Sequence, residues 1–550
     1  MYNELINTLK KKRMSEKQLY QLKRKLCKKY HIKDIPTNIQ ILLHANQSDI
    51  SKLSLKTKPT RTLSGVAVVA VMSRPFRCRH GKCIMCPGGP ASIFGDVPQS
   101  YTGKEPAAMR AIRNNYDPYM QVFNRLEHYI VMGHIPEKIE LIVMGGTFPS
   151  FNKRYQENFV AYCFKAMNDF SQMFFKKNKF DFIGFKEFFE LPGNIYDKAR
   201  EKRIKQKLKK IKGKSNLEKE QKRNEKSRIR CVGLTIETRA DFGRLKEGNE
   251  MLRLGCTRVE VGVQSVYNKA LKAIKRGHSV EDVVESFRVL KDLGFKINAH
   301  YMLGLPGVSD KEDLEGLREL FRNPDFRPDM LKIYPCMVIK GTKLYELWKK
   351  GKYKALSTKR AERILIEFKK NVPEYLRIMR VQRDIPANLA SAGVDMNNLR
   401  QHVQQIMKKK GLKCRCIRCR EVKTQKTGKA NVFVRDYKAG KGKEFFISAE
   451  ADDKILGFCR LRFPSQCLRK EITKGSALIR ELHVYGPIAS VGKKGTVQHR
   501  GIGRSLLKKA ESIAKQNKKK KIVVISGIGV REYYRREGYK KEGPYMVKLI

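Results

Sequence analysis

Six short apolar runs, each followed by a stretch of helical spacing, constrain the fold of this 550-residue chain more than any other feature. They are Gly65 to Val71, Lys138 to Met144, Ile229 to Ile236, Arg258 to Val263, Lys296 to Met302 and Met330 to Ile333. Runs of this length suit buried strands, and a helix between successive strands joins them in parallel. The rhythm predicts an α/β fold: a parallel sheet or open (β/α) barrel over residues 61–370, with functional residues at the C-terminal ends of the strands. A Lys-rich helical insertion at about 195–228 interrupts it, and such a charge run is expected to be mobile.

From Lys443 the pattern changes. Phe445-Phe446-Ile447-Ser448, Ile455 to Leu461, Ala477 to Val484 and Ile522 to Ile525 read as strands, with helices at Ser505 to Gln516 and near Tyr533. This predicts a separate α+β domain at 441–550. Residues 371–440 form a linker carrying Arg377, Arg380, Arg383 and a tight cysteine cluster. Residues 1–60 read as helical and basic. Leu5, Ile6, Leu9, Leu19, Leu22 and Leu26 recur at near-helical spacing, so one face packs while the other stays cationic.

Lys and Arg outnumber Asp and Glu by 117 to 54, a formal charge of +63. A lysine bias of the heat-adapted kind raises Glu as well, and here Glu does not keep pace. The surplus predicts a polyanionic partner, of which nucleic acid is the usual one. The N-terminal helices and the Lys-rich insertion are its candidate contacts. No run of about 18 apolar residues occurs and the N-terminus has no apolar signal core, so a soluble, cytoplasmic protein without membrane contact is expected.

Thirteen cysteines, an odd number without a secretion signal, argue against a disulfide framework. Seven (Cys27, Cys163, Cys231, Cys256, Cys336, Cys459, Cys467) read as buried small apolar residues. The first cluster, Cys78-Arg-His-Gly-Lys-Cys83-Ile-Met-Cys86, follows the first strand. Three thiolates there suit three irons of a 4Fe–4S cube and leave the fourth open. Zinc with His80 as a further ligand is the alternative.

Three cysteines in this loop, on this fold, resemble the radical S-adenosylmethionine enzymes. The spacing here, CxxxxCxxC, is wider than their common CxxxCxxC. Cys86-Pro-Gly-Gly-Pro90, Gln99-Ser-Tyr-Thr-Gly103, Glu105-Pro106 and Met109-Arg-Ala111 also resemble the catalytic subunit of Elongator, which uses a widened spacing. Met144-Gly145-Gly146-Thr147-Phe148 resembles the family's glycine motif, which implies backbone binding of the amino group of S-adenosylmethionine. Glycine suits any tight turn as well. Glu237, Gln264 and Ser265 end later strands and face the same mouth, with structural hydrogen bonding an equal reading for each.

The second cluster, Cys414-Arg-Cys416-Ile-Arg-Cys419, has no barrel context, so structural zinc is expected, with a fourth ligand elsewhere that the sequence does not identify; His402 is near in sequence and His483 is a candidate in space. The Elongator-type resemblance likewise implies a zinc-stabilised linker. Farther on, Gln498-His499-Arg500-Gly501-Ile502-Gly503 precedes a helix, and N–H groups of such a turn form a nest for a pyrophosphate. Set between Arg480-Glu481-Leu482-His483-Val484 and Tyr533-Tyr534-Arg535-Arg536-Glu537-Gly538-Tyr539, it resembles the GNAT acetyltransferases. That implies acetyl-CoA as cofactor, backbone pairing of Glu481 to Val484 with pantetheine, and Tyr533 or Tyr534 protonating the departing thiolate, the other being core. Glu481 and His483 are candidate bases, although strand alternation lets only some of these side chains reach the cleft.

Arg380-Val-Gln-Arg-Asp-Ile-Pro386 and Asn398-Leu-Arg-Gln-His402 extend the Elongator-type resemblance over about residues 61–550. It implies an enzyme forming 5-carboxymethyluridine at the tRNA wobble position. S-adenosylmethionine is split reductively, the 5′-deoxyadenosyl radical takes hydrogen from the acetyl methyl group, and the carbon radical adds to uridine C5 before thioester hydrolysis. Lys153 matches a position associated with acetyl-CoA, with a surface lysine as the alternative. The implied partners are tRNA, acetyl-CoA and accessory subunits, and Arg377, Arg380 and Arg383 are candidate phosphate contacts. Two rivals stand beside this reading: a protein lysine acetyltransferase with a structural radical domain, and a non-catalytic RNA-binding scaffold. Cationic charge repels lysine-rich tails, against the first; the intact Cys78/Cys83/Cys86 set counts against the second.

Overall fold

A computed structural model of the chain describes residues 1–12, 14–50, 52–53, 55, 64–177, 179–193, 197–423, 427–486 and 501–550. Strands β1 (Val66–Met72), β2 (Lys138–Met144), β3 (Arg230–Thr238), β4 (Arg258–Gln264), β5 (Lys296–Leu303), β6 (Met330–Pro335) and β7 (Arg377–Arg380) form one sheet in chain order. Every neighbouring pair is parallel. β1 and β7 stay unpaired with each other, so the sheet is a partial, open (β/α) barrel.

The six expected runs are strands. β7 was not among them: Arg-Ile-Met-Arg is short and half charged, and only Ile378 is fully buried. Outward residues such as Val259, Val261, Ile297, Ala299, Leu331 and Ile333 are buried with the surrounding helices in one core. Each such aliphatic side chain contributes roughly 1.5–3 kcal/mol. The helix Val280–Asp292 shows how this layer forms. Ser279 and Asp282 close a capping box at its start, and Val283, Phe287 and Leu290 put one apolar stripe on the sheet. The inner face is different: Arg258, Glu260, Asn298, His300 and Lys332 alternate with those apolar residues. A closed barrel is ordinarily filled by branched apolar side chains.

The Lys-rich insertion is packed rather than mobile. It folds as helices Lys198–Lys212 and Leu217–Lys226. Glu220 and Asn224 are fully buried, with Asn224 Nδ2 donating to Asn168 Oδ1 at 2.8 Å. Glu225 ties it to the C-terminal region through Arg531 and Arg535, both at 2.8 Å.

The second sheet contains β8 (Asn431–Ala439), β9 (Gly442–Ala451), β10 (Lys454–Phe463), β11 (Ser476–Val484), β12 (Lys521–Val524), β13 (Lys540–Glu542) and β14 (Tyr545–Leu549). Its order is β8-β9-β10-β11-β12-β14-β13, with only β11 and β12 parallel. The helix Ile502–Gln516 covers it with Leu506, Leu507, Ala510, Ile513 and Ala514. β7 belongs to the first sheet and β8 to the second, so both sheets extend past the limits of 370 and 441 read from the sequence. At the N-terminus, helices Tyr2–Lys11, Glu16–Lys29 and Asn38–His44 bury Leu5, Ile6, Leu26, Ile41 and Leu42 together. Six of the seven scattered cysteines are buried; Cys467 is exposed, contrary to expectation. Among the described residues no helix is long and apolar enough to cross a membrane.

The second domain docks beneath the barrel, where the strands begin. Arg462 meets Asp292 at 2.5 Å and Glu444 at 2.9 Å, while Arg480 meets Asp329 at 2.5 Å and Glu444 at 3.0 Å. Arg460 donates to the backbone oxygens of Tyr375 (2.8 Å) and Asp329 (3.3 Å). All of these side chains are shut off from solvent.

Candidate functional sites at the two ends of the barrel

Where the strands end, a loop of thiols meets a glycine turn. The Ser73 N–H donates to Met144 O at 2.9 Å and fixes the end of β1 against Gly145-Gly146. Both glycines have left-handed φ (120° and 97°), and a Cβ on Gly145 would lie 2.3 Å from Ser73 Oγ. A side chain is therefore excluded. A Cβ on Gly146 would stand 4.0 Å from Cys78 Sγ, so bare backbone faces the first thiol. The Cys78 N–H donates to Gln99 Oε1, and the Ser100 N–H donates to Cys86 Sγ at 3.1 Å. Around Cys83 Sγ stand His80 Nε2 at 3.3 Å and Arg276 Nη1 at 3.8 Å. Burial pushes Cys86 up to about 11 and raises Cys78 too, the latter against the Thr147 hydroxyl and Arg276. Desolvated thiols approached by N–H and guanidinium donors are the surroundings a thiolate-bound iron–sulfur cluster needs.

The inner sheet face continues from this mouth. The Tyr101 hydroxyl donates to Glu237 Oε2 at 2.8 Å. Glu260 accepts from Asn298 Nδ2 at 3.0 Å and from the Lys332 ammonium, and it meets His300 Nε2 at 2.9 Å. Burial pushes the Glu237 carboxyl up to about 7, opposed by Lys332 and reinforced by the Glu260 charge. For Glu260 the cost of burial is overcome by Lys332 and His300, which hold it well below the carboxylate range. Burial and Lys332 bring His300 down to about 4. Two adjacent carboxyls with diverging proton affinities are a mark of acid–base sites. Gln264 ends β4 at φ 69°. Among the described residues its buried Oε1, Asn298 Oδ1 and both amide atoms of Gln382 have no partner. The orphaned amides of Gln264, which ends β4, and Gln382, just past β7, point to a ligand at the mouth.

The other candidate site lies below. β11 and β12 pair only from Ser476↔Lys521 to Ile479↔Val524, while β11 runs on to Val484. The strands therefore splay, leaving the backbone of Glu481, Leu482, His483 and Val484 unpaired on that side among the described residues. Opposite β10 the register skips Arg480, a β-bulge. It breaks the simple alternation expected here. Arg480 and its neighbour Glu481 both address the barrel base, Glu481 pairing with Arg460 at 2.9 Å near Lys296. His483 lies against Phe458 and Tyr485, its proton affinity lowered by burial. Leu482 packs in the core of the second domain. Gly501 (φ 79°) caps the helix Ile502–Gln516. A Cβ on Gly503 would lie 3.4 Å from Tyr533 Oη and 3.6 Å from Val484, so these groups border one cleft. Tyr533 is 37% exposed and Tyr534 only 6%. Tyr533 thus reaches the turn and Tyr534 packs in the core. Gln498, His499 and Arg500 lie outside the described residues.

In the linker, the Sγ atoms of Cys414, Cys416 and Cys419 lie within 4.8 Å of one another, a convergence the front three cysteines do not show. A tetrahedral zinc site, with Zn–S near 2.3 Å, sets thiolates about 3.8 Å apart. Hydrogen bonds among the three thiols hold the accepting Cys419 low and the donating Cys414 high. Neither expected fourth ligand joins them: His402 Nε2 meets Glu362 at 2.8 Å, and His483 sits in the lower site. Arg377 is not a phosphate contact either, since it is committed to the Tyr485 hydroxyl (2.6 Å) and Glu421 (2.7 Å). Arg380 pairs with Asp384 at 2.5 Å, whereas Arg383 reaches the mouth, donating to Ser100 O. Lys153 begins the helix Lys153–Phe174 and is exposed. Sequence reasoning missed Tyr101, Glu260, His300 and Lys332. For Glu260, His300 and Lys332 the signal was a charged or polar residue at every second position of an otherwise apolar run, while Tyr101 lies in a loop with no such pattern.

Residues 72–321 match the Radical SAM superfamily and 328–409 the Radical_SAM C-terminal domain. Residues 1–63 match the ELP3 N-terminal domain and 415–539 the Acetyltransferase (GNAT) family. The chain is 45% identical to the tRNA uridine(34) acetyltransferase of Methanocaldococcus infernus, over 98% of this chain and 96% of that one. It is 40% identical to Elongator complex protein 3 of Homo sapiens, over 97% of this chain and 93% of that one. The chain belongs to the Elongator complex protein 3 family. The solved structure of archaeal Methanocaldococcus infernus Elp3 with an N-terminal deletion (1-46) superposes with a TM-score of 0.72 at 41% identity, covering 89% of this chain and 100% of that one. Membership in this family accounts for a barrel and an acetyltransferase fold in one chain.

Proposed function

We propose that this chain forms 5-carboxymethyluridine at the tRNA wobble position, from acetyl-CoA, by radical S-adenosylmethionine chemistry. One observation carries the reading most. The splayed strand of the acetyltransferase fold abuts the base of a barrel whose inner face is polar up to the mouth, where the thiol loop lies. Cofactor use of both kinds therefore meets on one scaffold, and relatives named for tRNA uridine(34) support the substrate.

Cys78, Cys83 and Cys86 would hold a 4Fe–4S cluster, which when bound supplies the electron that splits S-adenosylmethionine to a primary carbon radical. The bare backbone at Gly145, Gly146 and Thr147 offers groups for the amino acid moiety, and Gln264 presents an unpaired amide oxygen. Glu237, near neutrality in its proton affinity and hydrogen-bonded by Tyr101, holds or accepts a proton at its Oε2. An unstacked uridine enters such a mouth, with Tyr334, whose ring lies 5.9 Å from the Arg383 guanidinium, for stacking and Arg383 for phosphate. In the lower site, the open backbone of Glu481 to Val484 pairs with pantetheine, and the segment Gln498 to Gly503 takes the pyrophosphate. Tyr533 protonates the departing thiolate, with Glu481 and His483 as nearby bases. Lys153 is an outer acetyl-CoA contact. Zinc on Cys414, Cys416 and Cys419 stiffens the linker, and the N-terminal helices grip tRNA.

Anaerobic incubation with S-adenosylmethionine, acetyl-CoA, a reductant and tRNA should yield carboxymethyluridine by nucleoside analysis. Its absence with the cluster loaded sinks the reading. Peptide acetylation without tRNA modification would favour the protein acetyltransferase instead. Deleting residues 1–55 should weaken tRNA binding and flatten its salt dependence; an unchanged slope would remove the N-terminal helices from the tRNA site.

A further inference from the structure

The thiol loop has two sides. Cys78 lies beside the glycine turn, while Cys83 lies beside His80 and Arg276. On the Cys83 flank a cavity of about 450 Å³ opens between helices Asn268–Ala273 and Val280–Asp292, lined in part by Lys272, Lys275, Arg276 and His278. Arg276 spans its wall. The guanidinium is 9% exposed, donates from Nη2 to Gly262 O at 2.9 Å, and brings Nη1 to 3.8 Å from Cys83 Sγ. The next residue, Gly277 (φ 73°), has no room for a side chain: a Cβ would come 2.5 Å from His80 Cβ. The cavity loop is thus pressed against the thiol loop by bare backbone.

The rim is cationic. In the cavity lining Lys272 and Lys275 are exposed, as are Arg77, Arg79 and Lys82 on the thiol loop, and among the described residues none of the five forms an ion pair. The one acid in the lining, Glu281, is engaged by Asn268 Nδ2 at 3.2 Å. In a chain of net charge +63 a basic patch alone says little. This one is set apart because its wall, through Arg276, reaches a cysteine of the proposed cluster.

We propose that this flank is the electron-entry face, where an acidic one-electron carrier protein docks. The inference rests on the reading that Cys78, Cys83 and Cys86 hold an iron–sulfur cluster. The carrier loses one electron and the cluster gains it; no bond to the chain forms or breaks. Charge complementarity steers the encounter.

The test uses the full chain with its cluster reconstituted, beside the double variant Lys272→Glu/Lys275→Glu, in anaerobic stopped-flow absorbance. Flavodoxin hydroquinone, an acidic one-electron carrier, should bleach the native cluster at a rate that falls with added salt. The double variant should react about tenfold slower, within the range that steering supplies. Dithionite, a small inorganic reductant, should bleach both equally. Equal flavodoxin rates for the two proteins, including failure to reduce either, overturn the docking face. So does a parallel loss of tRNA affinity in the double variant, which would make the flank an RNA surface. Failure of dithionite to bleach either protein would locate the fault in the cluster reading, and the docking face falls with it.

Discussion

Two buried charge networks lie at opposite ends of the barrel, and they are built for different ends. At the base, every carboxylate oxygen of Asp292, Asp329 and Glu444 meets a guanidinium, a hydroxyl or an N–H. Against the cost of burial, Arg480 and Lys291 hold Asp329 and Glu444 below their ordinary range. At the mouth, Glu237 is pushed up to about 7 and amide atoms of Gln264 and Gln382 stay unpaired among the described residues. The base network answers all its carboxylate oxygens, leaving only Lys291 Nζ and Arg460 Nη1 without a hydrogen-bond partner among the described residues, whereas the mouth leaves amide and carboxyl capacity open.

The largest expected effect breaks the base. Arg480→Met strands Asp329 and Glu444 in a buried site and should cost about 3–5 kcal/mol in urea unfolding. A loss under about 1 kcal/mol would erase the distinction between the networks. At the mouth, Glu260→Gln removes the full charge facing Lys332 and should cost less, about 1–3 kcal/mol, while tRNA modification falls out of proportion to stability. Equal proportional losses in the two assays would make this network structural as well.

Acidity separates Glu237 from the base carboxyls by sign. The depressed carboxyls of Asp329 and Glu444 contribute stability that is complete above their ordinary values of 3.8 and 4.5 and is lost as pH falls toward their folded values. Glu237 acts oppositely. Its carboxyl rises from 4.5 to about 7, so between those values the folded chain keeps a proton the unfolded chain has released, and stability falls as pH rises. Glu237→Gln should flatten that slope in urea midpoints measured across the range, leaving the acid limb intact. The smallest effect lies outside both networks. Tyr533→Phe should change stability by no more than about 0.5 kcal/mol yet slow coenzyme A release in single-turnover assays, and Tyr534→Phe should leave that rate alone. Slowed release in the Tyr534 variant would reverse the assignment.

Much of this was legible because burial writes itself as apolar runs. The six runs mark six strands, and Gly145-Gly146 and Gly501 stand where the backbone needs positive φ. The remainder depended on information that a linear pattern does not carry. β7 is half charged, and β8 presents Val432, Phe433 and Val434 at an exposed edge, so neither reads as a buried strand. Arg377 resembles a phosphate contact until the linker folds back and supplies Glu421 and Tyr485. Tyr533 and Tyr534 are chemically alike, and only packing tells them apart. The bulge at Arg480 cannot be inferred from alternation, because an inserted residue shows only against its partner strand.

The docking of the second domain beneath the barrel orders events during synthesis. Asp329 precedes Arg480 by 151 residues, and Asp292 precedes Arg462 by 170. A nascent barrel therefore waits with its lower acids unanswered until nearly the whole chain has emerged, and a prematurely ended chain stays ajar, open to proteolysis and aggregation. The last domain to be made serves as the proofreader of the first.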